Sequence, residues 1–154
     1  MTRVVLDTNV IASALLSPLG NPAKILDLLF NDEIQIYYCD DILAEYKEVL
    51  SRPSLKIAPE KITRFLKILK ETGMSVESPS SSITMPDESD RVFYDTAKDN
   101  SAILITGNTK HYPLDDCIMT PRQYLERLIE FIALFGTINY DSDYDYKKAR
   151  QRES

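Results

Sequence analysis

Residues 1–16 read MTRVVLDTNVIASALL. The apolar run Arg3 to Leu6 has the β-branched content of a buried strand, breaks off on Asp7, passes through Thr8 and Asn9, and resumes as a second apolar run from Val10 to Leu16. An ionised carboxylate is costly to bury, so Asp7 belongs where water or a cation reaches it. The carboxyl end of a strand meets that condition.

Further β-rich runs lie at Ile34 to Cys39, Ala102 to Thr106 and Cys117 to Met119, with a weaker one around Met74 to Glu77. Helical patterns separate them. Val10 to Leu16 is the first, and Pro22 to Phe30 follows with Asn21 as its cap and proline at the first helical position. Asp40 and Asp41 open a helix whose Ile42, Leu43, Tyr46, Val49 and Leu50 form one stripe and which Ser51-Arg52-Pro53 ends. Pro59 to Glu71 stops at Gly73, Ser78 to Ser82 is a loop, and two more helices run from about Glu88 to Asp99 and from Pro121 to Phe135. Strands alternating with helices, without a hairpin signal, imply an α/β protein: a three-layer α/β/α sandwich with a central parallel sheet of four to five strands. Right-handed crossovers bring the strand carboxyl ends to one edge, outside which open sheets form their sites. Residues 1–135 make one domain. Residues 136–154, polar and rich in Tyr, Asp, Lys and Arg, read as a flexible tail or a segment that orders on a partner.

With 154 residues and 44% hydrophobic content, the chain suits a single core. It has neither the apolar run of roughly 20 residues that a membrane helix needs nor the pattern of a signal peptide, so the expected location is cytoplasmic. Cys39 and Cys117 lack C-x-x-C spacing and are read as reduced core thiols. A net charge of -6 argues against holding polyanions by bulk electrostatics. Locally the balance reverses: Arg52, Lys56, Lys61, Arg64, Lys67 and Lys70 face a single acid, Glu60. That segment is either a solvated helix face or a contact surface for nucleic acid or a partner.

Four positions compete for chemistry. Asp7 is a ligand at the sheet edge or the N-cap of the helix that starts near Asn9. With Ile42 at the origin, the apolar stripe of the third helix spans about 340° to 100°, which puts Glu45 at its border near 300° and Glu48 outward near 240°. A border glutamate can also snorkel or pair with a lysine. In MPDESDRVFYDTA (Met85–Ala97), Asp90 lies at the edge of the apolar arc and can face a cleft, whereas Asp95 faces solvent. The rival reading makes Asp87 the cap and leaves Asp90 to favour the helix dipole, worth about 0.3–1 kcal/mol. Thr106 and Asn108 follow a strand on the same edge as Asp7. Three carboxylates and two polar groups thus meet, with no histidine or arginine among them, and like charges so crowded demand a counter-charge. A hard dication, Mg²⁺ or Mn²⁺, supplies it through carboxylate and water oxygens. Such an ion binds a phosphodiester, acidifies a bound water and stabilises a leaving alkoxide, bridging an acidic protein to an acidic substrate.

The stretches LDTNV, AEY, DRVFYDTA, LITGNTKH and TPRQYL, in this order and spacing, resemble the PIN (PilT N-terminus) domain over roughly Thr2 to Leu128. The branch they resemble holds toxin components of bacterial and archaeal toxin-antitoxin systems. The resemblance implies a three-layered nuclease whose toxin members, VapC-like, cut RNA with Mg²⁺ or Mn²⁺ held by three or four acidic residues. It maps catalytic and metal-holding roles onto Asp7, Glu45 and Asp90, and supporting polar roles onto Thr8, Asn9 and Thr106. Many relatives carry aspartate where Asn108 stands. An amide oxygen can accept from a metal-bound water but screens a second cation poorly, which favours one tightly held ion. His111 is open between phosphate or base duty and a plain loop position. Lys110, Arg64 and Lys67 join it as candidate contacts for nucleic acid or a partner. The implied partners are RNA, a cognate antitoxin protein and a second copy of the chain, with no membrane.

The leading expectation is a metal-dependent endoribonuclease acting as the toxin of a type II toxin-antitoxin pair. Two others stay open: a degenerate domain that binds RNA or protein, and a haloacid-dehalogenase-type phosphatase, whose second aspartate Asn9 would replace.

Overall fold

Strands β1 (Thr2–Leu6), β2 (Ile34–Tyr38), β3 (Met74–Ser75), β4 (Ile103–Ile105) and β5 (Ile118–Met119) form one sheet in the order β3-β2-β1-β4-β5, every pair parallel. This is a computed structural model that describes residues 1–79 and 90–135. Val4, Val5, Leu6, Ile36 and Leu104 are inaccessible to solvent, as expected of strands covered on both faces. The helices are α1 (Thr8–Leu16), α2 (Asn21–Phe30), α3 (Asp40–Leu50), α4 (Pro59–Thr72), α5 (Arg91–Asp99) and α6 (Pro121–Phe135). α5 packs against β1, β2 and β4 and meets α3, while α2 packs on α6. The result is the α/β/α arrangement that the alternating pattern implies.

Local chemistry sets the element ends. α6 begins with a reciprocal cap, Gln123 N donating to Thr120 Oγ1 at 3.1 Å and Thr120 N to Gln123 Oε1 at 2.9 Å, which supplies partners for amides that the first helical turn cannot pair internally. Gly73 ends α4 with extended backbone, so space rather than torsional freedom requires it. A Cβ there would stand 2.9 Å from the Tyr38 ring. Tyr46, fully buried in α3, donates its hydroxyl to Leu6 O at 2.5 Å and meets Phe65 edge-on at 5.7 Å. α3 is thereby fastened to the last residue of β1, and the residue before Tyr46 is Glu45.

One expectation fails inside α5. Asp95 is buried at 5% exposure and pairs with Arg91 at 3.9 Å instead of facing solvent. The helical wheel takes a single apolar arc, but five consecutive residues, Phe93 to Ala97, are buried, so this helix is enclosed on more sides than its apolar residues mark. The cysteines are both free, Cys39 in the core and Cys117 half-buried. Positions 80–89, which hold the alternative cap Asp87, the predicted helix start at Glu88 and part of the Ser78–Ser82 loop, lie outside the described residues, as does the 136–154 tail. Among the described residues no helix is long and apolar enough to cross a membrane.

Candidate active site

Register assembles the site. Leu6 pairs with Ile105, so Asp7 and Thr106 each stand one residue past the paired ends of β1 and β4. Asp7 N donates to Ile105 O at 3.0 Å, and Thr106 Oγ1 donates to Asp7 Oδ2 at 2.8 Å. The chain order turns here, since β1 leads to β2 on one side while β4 lies on the other. Open α/β sheets present their crevice at such a switch point.

Asp7 occupies the N-cap position of α1 yet makes no side-chain cap bond. Its Oδ2 instead accepts from Thr106 and from Tyr112 OH, also at 2.8 Å, and the residue is only 6% exposed. The capping alternative is therefore set aside. Burial, then the charge and hydrogen bond of Asp7, push the Tyr112 hydroxyl far above its usual pKa, so it donates and does not ionise.

A second chain of contacts runs beside the first. Gly107 N donates to Asn9 Oδ1 at 3.0 Å, and Asn108 N donates to Thr106 Oγ1 at 3.1 Å. The Asn108 side chain meets His111 Nε2 at 2.8 Å, and His111 Nδ1 meets Asp90 Oδ2 at 3.1 Å. With Asn108 Nδ2 donating to Nε2, a neutral ring carries its proton on Nδ1 and donates it to Asp90. A histidine thus does fall among the acidic positions, contrary to the sequence expectation. The short 3₁₀ turn Thr109–His111, invisible in residue patterning, brings it there.

Glu45 completes the group through its field. Burial raises its pKa first, then the charges of Asp7 and Asp90, to about 7. Among the described residues it has no hydrogen-bond donor. Thr8 Oγ1, next in the chain to Asp7, is buried without a hydrogen-bond partner, and no other described side-chain polar atom shares that state. In kind these groups fit a hard dication: oxygen donors, one sign of charge, and a glutamate pushed toward its neutral form by burial and then by its acidic neighbours. In placement they are near but not convergent. Among the described residues no three His, Cys, Asp or Glu side chains are gathered closely enough to hold a metal ion. The two findings agree, because charges act over several ångströms whereas ligation needs oxygens about 2.1 Å from a common ion.

The basic helix lies elsewhere. Arg64 sits over the Phe30 ring at 5.4 Å, Lys61 Nζ donates to Leu15 O at 3.1 Å, and Lys67 pairs loosely with Glu71 at 4.0 Å. Phe30 ends α2 just before β2 begins, so Arg64 is at the amino end of the sheet, away from Asp7. Lys110 is on the same 3₁₀ turn as His111. Sequence reasoning missed Tyr112, for which nothing but its place four residues after Asn108 gave a signal.

A family model described as PIN domain matches residues 3–110. An uncharacterized protein of Methanocaldococcus jannaschii is 34% identical over 146 residues, a match that covers 85% of this chain and 94% of that protein.

Proposed function

From the premise that the chain belongs to the PIN domain family, whose fold is of nuclease type, we propose that it is a metal-dependent endoribonuclease. The observation that carries this reading is the Glu45 carboxyl, raised to about 7 beside Asp7 and Asp90. Mutually repelling carboxylates at a sheet's switch point are the arrangement that a cation-dependent site needs and a structural one avoids. Asp7, Glu45 and Asp90 would hold Mg²⁺ or Mn²⁺, with Asn108 beside them. The ion, when bound, supplies charge neutralisation and acidification of water for attack on a phosphodiester.

The chain's own residues have separable tasks. Thr106 and Tyr112 fix one oxygen of Asp7 and leave the other for a ligand. His111 fixes Asp90 and Asn108 in one line. Asn9 holds the turn at Gly107, which sets the mouth of the site. Lys110 stands where it can meet an RNA phosphate. The haloacid-dehalogenase reading is set aside, because Asn9 uses its amide oxygen on Gly107 and the family match lies elsewhere.

Incubation of the purified protein with single-stranded RNA and Mn²⁺, beside Asp7→Asn, tests the proposal. The expected result is a loss of at least about a hundredfold in cleavage, the scale of removing one strong transition-state contact. Equal cleavage by both forms would mean a contaminating nuclease and would end the claim. A second reading, an RNA- or protein-binding module, is favoured by one feature, the neutral Asn108 in an otherwise acidic set. A Mn²⁺ titration separates the two, since such a module need not bind the ion.

The finer role proposed is the toxin of a type II pair, acting in the cytoplasm and silenced by a cognate antitoxin. Support comes from the resemblance of its motifs to that branch. The last turns of α6 also expose Ile129, Phe131, Ile132, Leu134 and Phe135, apolar area of the kind that a protein partner or a second copy covers.

A further inference from the structure

Beside the carboxylates lies an open cleft of about 310 Å³, lined by Asn9, Val10, Ser13, Pro22, Gly107, Asn108 and Pro121. It shares Asn9, Gly107 and Asn108 with the acidic site and extends away from it between the first turns of α1, α2 and α6. Its lining differs in kind. No charged side chain contributes, so it suits neither a phosphate nor a metal ion. Its open surface is mostly polar, amides and a hydroxyl, because Val10 and Pro121 are buried and, of the three apolar residues, only Pro22 shows part of its face.

Those polar groups are available. Asn9 Oδ1 is taken by Gly107 N, which leaves Asn9 Nδ2 as a donor. Asn108 Nδ2 is taken by His111, which leaves Asn108 Oδ1 as an acceptor. Ser13, exposed on α1, can do either. A donor, an acceptor and a hydroxyl set around one cleft are the chemistry that reads the edge of an unstacked base, with the exposed part of Pro22 to lie against it. The volume is at the lower end of small-molecule sites, about 300–1,000 Å³, which is room for one nucleoside and not for a stacked pair.

We infer that this cleft is a nucleoside subsite that takes one unpaired base of the RNA next to the bond being cut. The subsite deepens the nuclease reading and rests on it for its purpose. Because a duplex base cannot enter without leaving its stack, the subsite selects single-stranded substrate.

The test needs no turnover. The ¹⁵N-labelled full chain, in chelator, is titrated with adenosine, cytidine, guanosine and uridine, and with ribose 5-phosphate as a control that lacks the base. At least one nucleoside should shift the amide signals of Asn9, Ser13 and Gly107 saturably, and ribose 5-phosphate should not. Ser13→Tyr, which fills the cleft from an exposed position, should weaken binding at least about tenfold. If that variant loses its dispersed spectrum, Gly107→Ala replaces it, since a Cβ there meets Asn9 Oδ1 at an ordinary 3.4 Å and narrows the cleft without strain. No saturable shift, the same shifts from ribose 5-phosphate, or unchanged binding by a folded variant would overturn the subsite. Nucleoside binding in a protein that cuts no RNA would uphold the subsite and remove the nuclease reading; cleavage without nucleoside binding would do the reverse.

Discussion

Glu45 and Asp115 are both partly buried carboxylates, and their surroundings are opposite. Asp115 accepts from the Lys98 ammonium at 2.9 Å, the Tyr94 hydroxyl at 2.8 Å and the Cys117 amide at 3.1 Å. The Cys117 amide, then Lys98, hold it well below the usual carboxylate range. Glu45 has no such donors among the described residues and is pushed up to about 7 by burial and by Asp7 and Asp90. A carboxylate that the fold uses is given donors. One that faces two of its own kind is held there at some cost to stability, and groups held so are candidates for work on something outside the chain.

The largest effects should therefore separate cleanly between the two regions. Asp7→Asn should cut RNA cleavage by about a hundredfold or more while shifting stability by no more than about 1 kcal/mol, because the amide oxygen still accepts from Thr106 or Tyr112. Asp115→Ala should do the opposite. It takes the acceptor from the partly buried Tyr94 hydroxyl and Cys117 amide, a loss of about 1–2 kcal/mol in urea denaturation, with cleavage per folded molecule unchanged. If Asp115→Ala abolished cleavage in a folded protein, the division between the regions would be wrong.

The pH dependence of stability sharpens the same contrast. In the unfolded chain Glu45 titrates near 4.5, and in the folded protein without metal near 7. Between these values the folded state keeps a proton that the unfolded state has released, so this contribution to stability is present below about pH 4.5 and is lost as pH rises through about 7. Asp115 acts the other way. Its stabilisation is present above its ordinary value of 3.8 and is lost on acidification. Urea titrations in chelator should show the neutral limb flattened by Glu45→Gln and the acid limb flattened by Asp115→Asn. A neutral limb that survives Glu45→Gln would assign it to another group.

How far the sequence reveals this site depends on which force makes each contact. Asp7, Thr106 and Asn108 are legible because strand-helix alternation fixes a parallel sheet, and a parallel sheet fixes which strand ends share an edge. Glu45 is legible from its border position on the α3 stripe, and the Tyr46 hydroxyl on Leu6 then holds that stripe at the end of β1. The His111 bridge and the Tyr112 bond arise from a single 3₁₀ turn that returns the chain to Asp7 over 105 positions. No periodicity encodes such a turn. Asp95 escapes sequence reading for a related reason: a helical wheel counts apolar residues, and a charge enclosed with its own arginine looks on the wheel like a solvated one.

Tyr112 gives a smaller and more specific test. Tyr112→Phe keeps the ring in the core and removes one of the two hydroxyls on Asp7 Oδ2, leaving Thr106 to hold it. Removing a single hydrogen bond to a carboxylate costs about 1–2 kcal/mol. Cleavage should fall less than for Asp7→Asn, and the loss should lie in kcat, since the change alters how a catalytic carboxylate is held and not how RNA is gripped. An effect confined to KM would mean that Tyr112 touches substrate.

The smallest expected effect concerns α4, a third setting for charge, where cations meet neither donors nor acids in the site. Arg64 over Phe30 is worth about 0.5 kcal/mol at an exposed position, and the Lys67–Glu71 pair close to nothing. If this face also guides RNA, as its run of cations proposes, the Arg64→Glu, Lys67→Glu double variant should bind RNA a few-fold more weakly, with kcat untouched. The slope of log K against log salt should become shallower by roughly 0.7 for each phosphate that the protein no longer neutralises. An unchanged slope would confine Arg64 to its stack on Phe30 and leave Lys110, on the turn that carries His111, as the cation that meets the backbone.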